Sequence, residues 1–381
     1  MKNNKYSDLF PVLKQTVNGK PLTLLGSLIY TPIPALTQQR LNQVIEATAN
    51  GELTRASQIN WMNPSIWDQV RRTVGDLIKA KNPHEIIFTK NATEAAHFLA
   101  ADISKTMVDQ GDQIIISPHS CFSTVNAWER VAKVKNATVK RLSLQKNQML
   151  DLNEYKSLLA NGRVKVVSLK PISSITGATC DIKALTKMAH DYGAIMIVDG
   201  GFSTAHAPVD VQDIDCDYYY FSSYRLYAPP GIAPVYRKQR AWAPLEAHAG
   251  GTQPLFGAVG LSASIEFIQS QGGVGQILSQ ERRNMQYAID RLQAIPGLKI
   301  LDWSDSHIAQ IPFVIEGISP EQLNYRLDRQ GILTCWDDDE TAAPELLNFY
   351  GIESYSSISL GMHNTPEDID RLIEGITEVR R

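Results

Sequence analysis

Four short aliphatic runs recur between residues 85 and 199, and helical segments separate them. They are Glu85-Ile86-Ile87-Phe88-Thr89, Gln113-Ile114-Ile115-Ile116-Ser117, Val164-Lys165-Val166-Val167-Ser168-Leu169 and Ala194-Ile195-Met196-Ile197-Val198-Asp199. Largely continuous Val/Ile runs describe strands covered on both faces, unlike the in–out alternation of a sheet with one wet side. The intervening stretches, opening near Thr93 and covering Asn153 to Ala160 and Ile182 to Asp191, read as crossover helices. An α/β fold with a mostly parallel, doubly wound sheet follows. Ligands of such sheets bind beyond the carboxyl ends of the strands, which places Thr89, Ser117, Lys170 and Asp199 at the candidate edge.

Beyond residue 255 the pattern changes to long helices (Leu261 to Gln271, Ile277 to Ile295), two further apolar runs (Leu298 to Trp303, Ile308 to Ile315) and a last helix from Pro366 to Val379. Thr365-Pro366-Glu367-Asp368 sets an N-cap threonine before proline and acidic residues of a first turn. The expected division is a large domain over 21–255 and a smaller α+β domain built from 1–20 and 256–381. A net charge of -3 gives no reason to expect nucleic acid or an anionic membrane as partner. No apolar stretch approaches the about 20 residues of a membrane helix, and the polar start is unlike a signal peptide. Cys121, Cys180, Cys216 and Cys335 lack CxxC or Cys/His spacing, so no metal site is expected and a reducing cytoplasm is.

The stretch Tyr220-Phe221-Ser222-Ser223-Tyr224-Arg225-Leu226-Tyr227-Ala228-Pro229-Pro230-Gly231-Ile232 carries the most specific signal. With Phe88-Thr89-Lys90-Asn91-Ala92-Thr93-Glu94-Ala95, Val198-Asp199-Gly200, His206-Ala207-Pro208-Val209-Asp210-Val211 and Ser359-Leu360-Gly361-Met362-His363-Asn364-Thr365, in order, it resembles class V aminotransferases, in particular the SufS-type cysteine desulfurases. The resemblance spans nearly the whole chain. It implies the pyridoxal-phosphate (PLP) fold type I, with sites formed at a homodimer interface. It also implies a Schiff-base lysine where Arg225 stands. A guanidinium stays protonated and its lone pairs are delocalised, so it offers no nucleophilic amine.

Cofactor-holding positions of that family have counterparts here. Asn91-Ala92-Thr93 follows a strand and opens a helix, which suits a phosphate, or is an ordinary N-cap. Asp199 matches the carboxylate that pairs with the pyridine nitrogen, or else caps a helix or meets water. Ser222 matches a phosphate-binding serine, and Thr252 a threonine that reaches the neighbouring subunit's phosphate. Other positions differ. Tyr224 stands for a histidine, Phe202 for a glutamine at the ring oxygen, Ser174 for a substrate-contacting asparagine and Ser357 for the substrate arginine. Phe122 or Cys121 takes the face of the stacking histidine, with His119 a third choice. Cys335 lies too early for the sulfur-accepting cysteine, and the acidic run Asp337 to Glu340 follows it, reading as a solvated loop or a cation site. Lys170 and Lys90 are the amines nearest to a relocated Schiff base.

Three readings remain. The first is a degenerate, pseudoenzyme-like member without desulfurase activity, holding PLP, its amine form PMP or another small phosphorylated ligand non-covalently, or no cofactor. The second is a PLP- or PMP-dependent transferase or lyase of altered chemistry, with Tyr224 or His119 moving protons. The third is a non-catalytic subunit paired with an active paralogue.

Overall fold

The computed structural model describes residues 8–27, 31–50, 64–145, 149–238, 254–301, 303–338 and 344–380. Seven strands form the large sheet: β1 (Ile86–Thr89), β2 (Gln113–Ile116), β3 (Thr138–Arg141), β4 (Val164–Leu169), β5 (Ile195–Asp199), β6 (Tyr218–Tyr220) and β7 (Ala233–Arg237). Their order across the sheet is β1-β7-β6-β5-β4-β2-β3. The pairs from β6 to β3 are parallel, whereas β7 runs antiparallel to both β6 and β1. The mixed sheet confirms the α/β reading, and the four aliphatic runs read from the sequence lie within it as β1, β2, β4 and β5.

Alternate residues of these strands feed two cores. Ile115, Val167, Leu169, Met196, Val198 and Tyr219 enter one layer; Ile114, Ile116, Val166, Ile195, Ile197 and Tyr220 enter the other. Burial on both faces is the physical reason these runs show no polar alternation. The helix Leu255–Ser270, expected from the sequence within the smaller domain, contributes Leu261, Ile265 and Ile268 to the first of these layers.

A second, antiparallel sheet contains β8 (Leu298–Ile300), β9 (Gln310–Ile315), β10 (Cys335–Asp338) and β11 (Ser354–Ser359), in the order β8-β9-β11-β10. Helices Gly273–Gln293, Pro320–Asp328 and Pro366–Val379 cover one face of it through a core with Ile311, Phe313 and Ile358. The last helix starts as its sequence indicates, with the Asp368 carboxylate accepting from the Thr365 N–H at 2.9 Å. The N-terminal segment joins this part of the molecule, because Thr23–Leu24 pairs in parallel with Ile332–Leu333.

Among the described residues no helix is long and apolar enough to cross a membrane.

Candidate functional site

The strand order reverses between β2 and β4, and a doubly wound sheet opens a crevice at such a point. The segments leaving these strands, Ser117 to Cys121 and Lys170 onward, and the end of β5 at Asp199 therefore meet at one edge. Between β6 and β7 the chain crosses this edge as the loop 221–232, whose Ser223–Arg225 forms a single 3-10 turn.

Much of that loop is held from outside. The Thr31 hydroxyl donates to the Tyr224 carbonyl at 2.6 Å and accepts from the Tyr227 N–H at 2.9 Å. Tyr227 sits at φ 59°, a left-handed conformation that costs a bulky residue about 1–3 kcal/mol. Its surroundings over-determine it: the Ser264 hydroxyl donates to its carbonyl at 2.7 Å, and its own phenol oxygen accepts from the Met362 N–H at 2.9 Å. The helix Leu255–Ser270 approaches closely enough that a Cβ on Gly260 would fall 2.4 Å from Pro229 Cγ.

Arg225 projects from this fixed turn. Its Nε donates to the Tyr224 phenol oxygen at 3.1 Å, and its guanidinium carbon lies 6.0 Å from the centre of the Phe202 ring. Nη1 is buried and has no hydrogen-bond partner among the described residues. An unpaired buried donor on a permanent cation costs more than a neutral one, so the position calls for an anionic acceptor.

Beside it, Asp199 is only 6% exposed. One carboxylate oxygen accepts from the Gly201 N–H at 3.0 Å, and the other lies 3.6 Å from Lys170 Nζ, itself buried. Gly200 is required by packing: a Cβ there would fall 2.1 Å from the Tyr219 ring. Burial, then Lys170 and His307, lower the pKa of His119 to about 4, so its imidazole is neutral at physiological pH. Both of its ring nitrogens are buried without partners among the described residues. The Cys121 sulfur lies 3.1 Å from Ser123 Oγ and 3.4 Å from Thr124 Oγ1, at the N-cap of the helix Phe122–Lys135. Although the residue as a whole is exposed, desolvation of its sulfur and the Asp199 carboxylate oppose the thiolate; the Lys170 ammonium and the two hydroxyls outweigh them, and the thiol is lowered from its ordinary value.

The remaining candidates fall as follows. Asn91 caps the helix Ala92–Met107, its side chain accepting from the Glu94 N–H at 2.8 Å, and Asn91 and Thr93 are solvent-exposed at the helix N-terminus. Ala92 opens that helix and is half-buried, while Ser222 is buried at the head of the Arg225 turn. Phe202 is buried, its ring centre 4.4 Å from that of His206. Phe122, the first residue of the helix Phe122–Lys135, is 80% exposed. Lys90 is exposed, and Thr252 lies outside the described residues. Cys335 is buried in β10, and Asp337 accepts from the Tyr355 phenol at 3.0 Å. Asp338 ends β10, and Asp339 and Glu340, which complete the acidic run, lie outside the described residues. The pairing of Lys170 with Asp199 escaped sequence reasoning, although both were placed at the ligand edge. A lysine closing an otherwise aliphatic strand was its only signal. A cavity of about 470 Å³ between the helices Ala92–Met107 and Phe122–Lys135, lined by His97, Arg130 and Val134, has no part in this constellation.

The aminotransferase class-V family model matches residues 31–250 and 241–372. A probable cysteine desulfurase of Halalkalibacterium halodurans is 28% identical over 404 aligned residues, covering 100% of this chain and 98% of that protein. The crystal structure of the cysteine desulfurase CsdA from Escherichia coli superposes with a TM-score of 0.85 at 23% identity, covering 99% of this chain and 98% of that one. The apo structure of a cysteine desulfurase from Thermococcus onnurineus gives 0.86 at 20% identity, with 99% and 97% covered. The fold is the one the sequence resemblance implies, PLP fold type I.

Proposed function

The chain belongs to the class V aminotransferase family, and on that premise we propose that it holds a phosphorylated, PLP-like ligand without a covalent bond and does not desulfurate cysteine. The observation that carries this reading is Arg225: a permanent cation on a rigid turn, with a buried nitrogen lacking an acceptor among the described residues. A phosphate or another anion supplies that acceptor.

The residues present fit one part of PLP and not another. The solvent-exposed N-terminus of the helix Ala92–Met107, where Asn91 caps the Glu94 N–H, and Ser222 suit its phosphate, and Asp199 is a buried carboxylate of the kind that holds a protonated pyridine nitrogen. When bound, PLP supplies an electron sink. Against this, Asp199 already has the Lys170 ammonium at 3.6 Å, and the turn that would present an amine presents a guanidinium. Holding therefore rests on charge and hydrogen bonds: Arg225 orients the anion, Phe202 and Tyr224 wall the guanidinium, and neutral His119 is free to exchange a proton with a bound group. Among the described residues, the position of the substrate-clamping arginine holds the uncharged Ser357, and Cys335 is buried in a strand rather than presented as a sulfur acceptor. The four cysteines are free and three of them are not exposed, which supports a reducing cytoplasm.

Incubation with PLP, borohydride reduction and peptide mass mapping tests the reading. The expected result is no pyridoxyl adduct on any lysine, with inorganic phosphate bound by the native chain and lost in Arg225→Ala. An adduct on Lys170, or steady sulfide release from cysteine with a reductant present, overturns it.

A further inference from the structure

One face of the second sheet is built for hydrogen bonds it does not make. Gln310 of β9 stands opposite Ser359 of β11, and Pro312 stands opposite Ser357. Residues directly opposite in an antiparallel pair share a face, with Cβ atoms about 5 Å apart. Gln310, Ser357 and Ser359 therefore form one patch, while the alternate residues Ile311, Phe313 and Ile358 point into the helical core. The three are 1%, 0% and 0% exposed. Gln310 Oε1 and Nε2, Ser357 Oγ and Ser359 Oγ have no partner among the described residues. Leaving a buried polar atom unpaired costs about 1–3 kcal/mol, and four in one patch are not expected of a face that serves packing alone.

The patch lies at the seam between the two sheets. The segment that follows Lys170 covers this face: Ile175 packs with Val314 and Tyr355, and the Ile308 N–H donates to the Gly177 carbonyl at 2.9 Å. The end of β11 is tied to the loop 221–232 as well: Met362, three residues past Ser359, donates its N–H to the Tyr227 phenol oxygen.

Resting on the proposal of an anion at Arg225, we infer that this seam receives the uncharged, hydroxyl- or carboxamide-bearing body of the same ligand. A primary amide and two hydroxyls offer donors and acceptors together and no net charge. The same face carries Asp337, paired with Tyr355 one strand over from Ser357, and, two strands over from Ser357 at the outer edge, the exposed Lys299 opposite Val314. The carboxylate is the nearer of the two to Ser357 and disfavours a carboxylate ligand there. The ligand class is thus a small phosphorylated compound with a neutral polar body, in place of an amino acid.

Two phosphates that differ in the end group alone test this by calorimetry on the full chain. Glycerol 3-phosphate ends in a hydroxymethyl group and 3-phosphoglycerate in a carboxylate. Glycerol 3-phosphate should bind at least about tenfold more tightly than either 3-phosphoglycerate or inorganic phosphate. Gln310→Leu and Ser357→Ala should each reduce that preference severalfold while inorganic phosphate still binds. Because the hydroxyl is unpaired in the free chain, Ser357→Ala should leave the melting temperature unchanged or raised. Equal affinities for the three probes, tighter binding of 3-phosphoglycerate, or a fall of several degrees in Ser357→Ala each overturn the inference, the first being the result if the patch holds water alone. Glycerol 3-phosphate bound with undiminished affinity by Arg225→Ala, yet weakened by Gln310→Leu, would retain the seam and remove only the anion site.

Discussion

Lys170→Met removes the ammonium of a buried ion pair and nearly keeps its length. At 3.6 Å the charges of Lys170 and Asp199 attract by about 5 kcal/mol at an effective dielectric constant near 20. Desolvation of two groups that are 8% and 6% exposed offsets much of this, so the pair adds little net stability over an apolar pair of the same shape. Breaking it from one side is different. Asp199 would keep the Gly201 N–H and lose its counter-charge, a loss of about 3–5 kcal/mol in comparable buried pairs. The retained hydrogen bond puts the expectation near the lower end, about 3 kcal/mol. Asp199→Asn should cost a similar amount, and the double variant much less than the sum, giving a coupling of about 2–3 kcal/mol. Urea unfolding followed by both circular dichroism and tryptophan fluorescence measures this, provided the two transitions coincide. The freed carboxylate should also raise the affinity for PLP, whose protonated ring nitrogen seeks the same partner. Single variants that each cost under about 0.5 kcal/mol and add without coupling would refute the pairing and return Lys170 to the list of amines free to meet a ligand.

Three further outcomes are expected. Gly200→Ala should destabilise the chain by at least about 1–3 kcal/mol, read as a lowered melting temperature, because the new methyl would overlap the Tyr219 ring. Iodoacetamide should alkylate Cys121 before the other three cysteines, with a rate that rises with pH and levels off below the ordinary thiol value of about 8.5. Cys180, by contrast, is pushed up to about 12 by burial. Lys170→Met should slow the Cys121 reaction at pH 7, and mass spectrometry of the labelled peptides would show it. The hydrogen bond to Asp217 raises His190, against the cost of burial, so its contribution is complete below the unfolded value of about 6.5 and fades as pH climbs through the raised native one. His190→Gln should therefore lose under about 1 kcal/mol at pH 5.5 and none at pH 9 by urea unfolding.

The large sheet was legible because its strands are buried on both faces, and uninterrupted Ile and Val leave little competing interpretation. The two ends of the β6–β7 unit were harder. Tyr218-Tyr219-Tyr220 and Ala233 to Arg237 carry few β-branched aliphatics, and their membership of the sheet follows from pairing rather than from local pattern. The helix Leu255–Ser270 is apolar almost all round, so periodicity could not say which core it enters; the small residues Gly257, Gly260 and Ser264 settle it by admitting the Arg225 loop.

At the site, the sequence identified individual residues and missed their relations. Asp199 and Lys170 were placed at the same edge, yet only their 3.6 Å separation makes one the counter-ion of the other. Phe122 and Cys121 were interchangeable on paper; in the fold the ring is exposed at the helix start, and the sulfur lies against Ser123 and Thr124. Gln310 carried no signal of its own, since it falls inside the apolar run Ile308 to Ile315 as an ordinary polar interruption. Its meaning comes from the register that sets it against Ser359. Arg225 gains most from this view. Alone it is a lysine-to-arginine change in a motif. Set beside a self-neutralised Asp199 and an uncharged wall at Ser357, it is the one permanent cation among these three positions left without a counter-charge. A pocket whose carboxylate is already satisfied and whose guanidinium is not selects for an anion, and that asymmetry separates it from a site waiting for an amino acid.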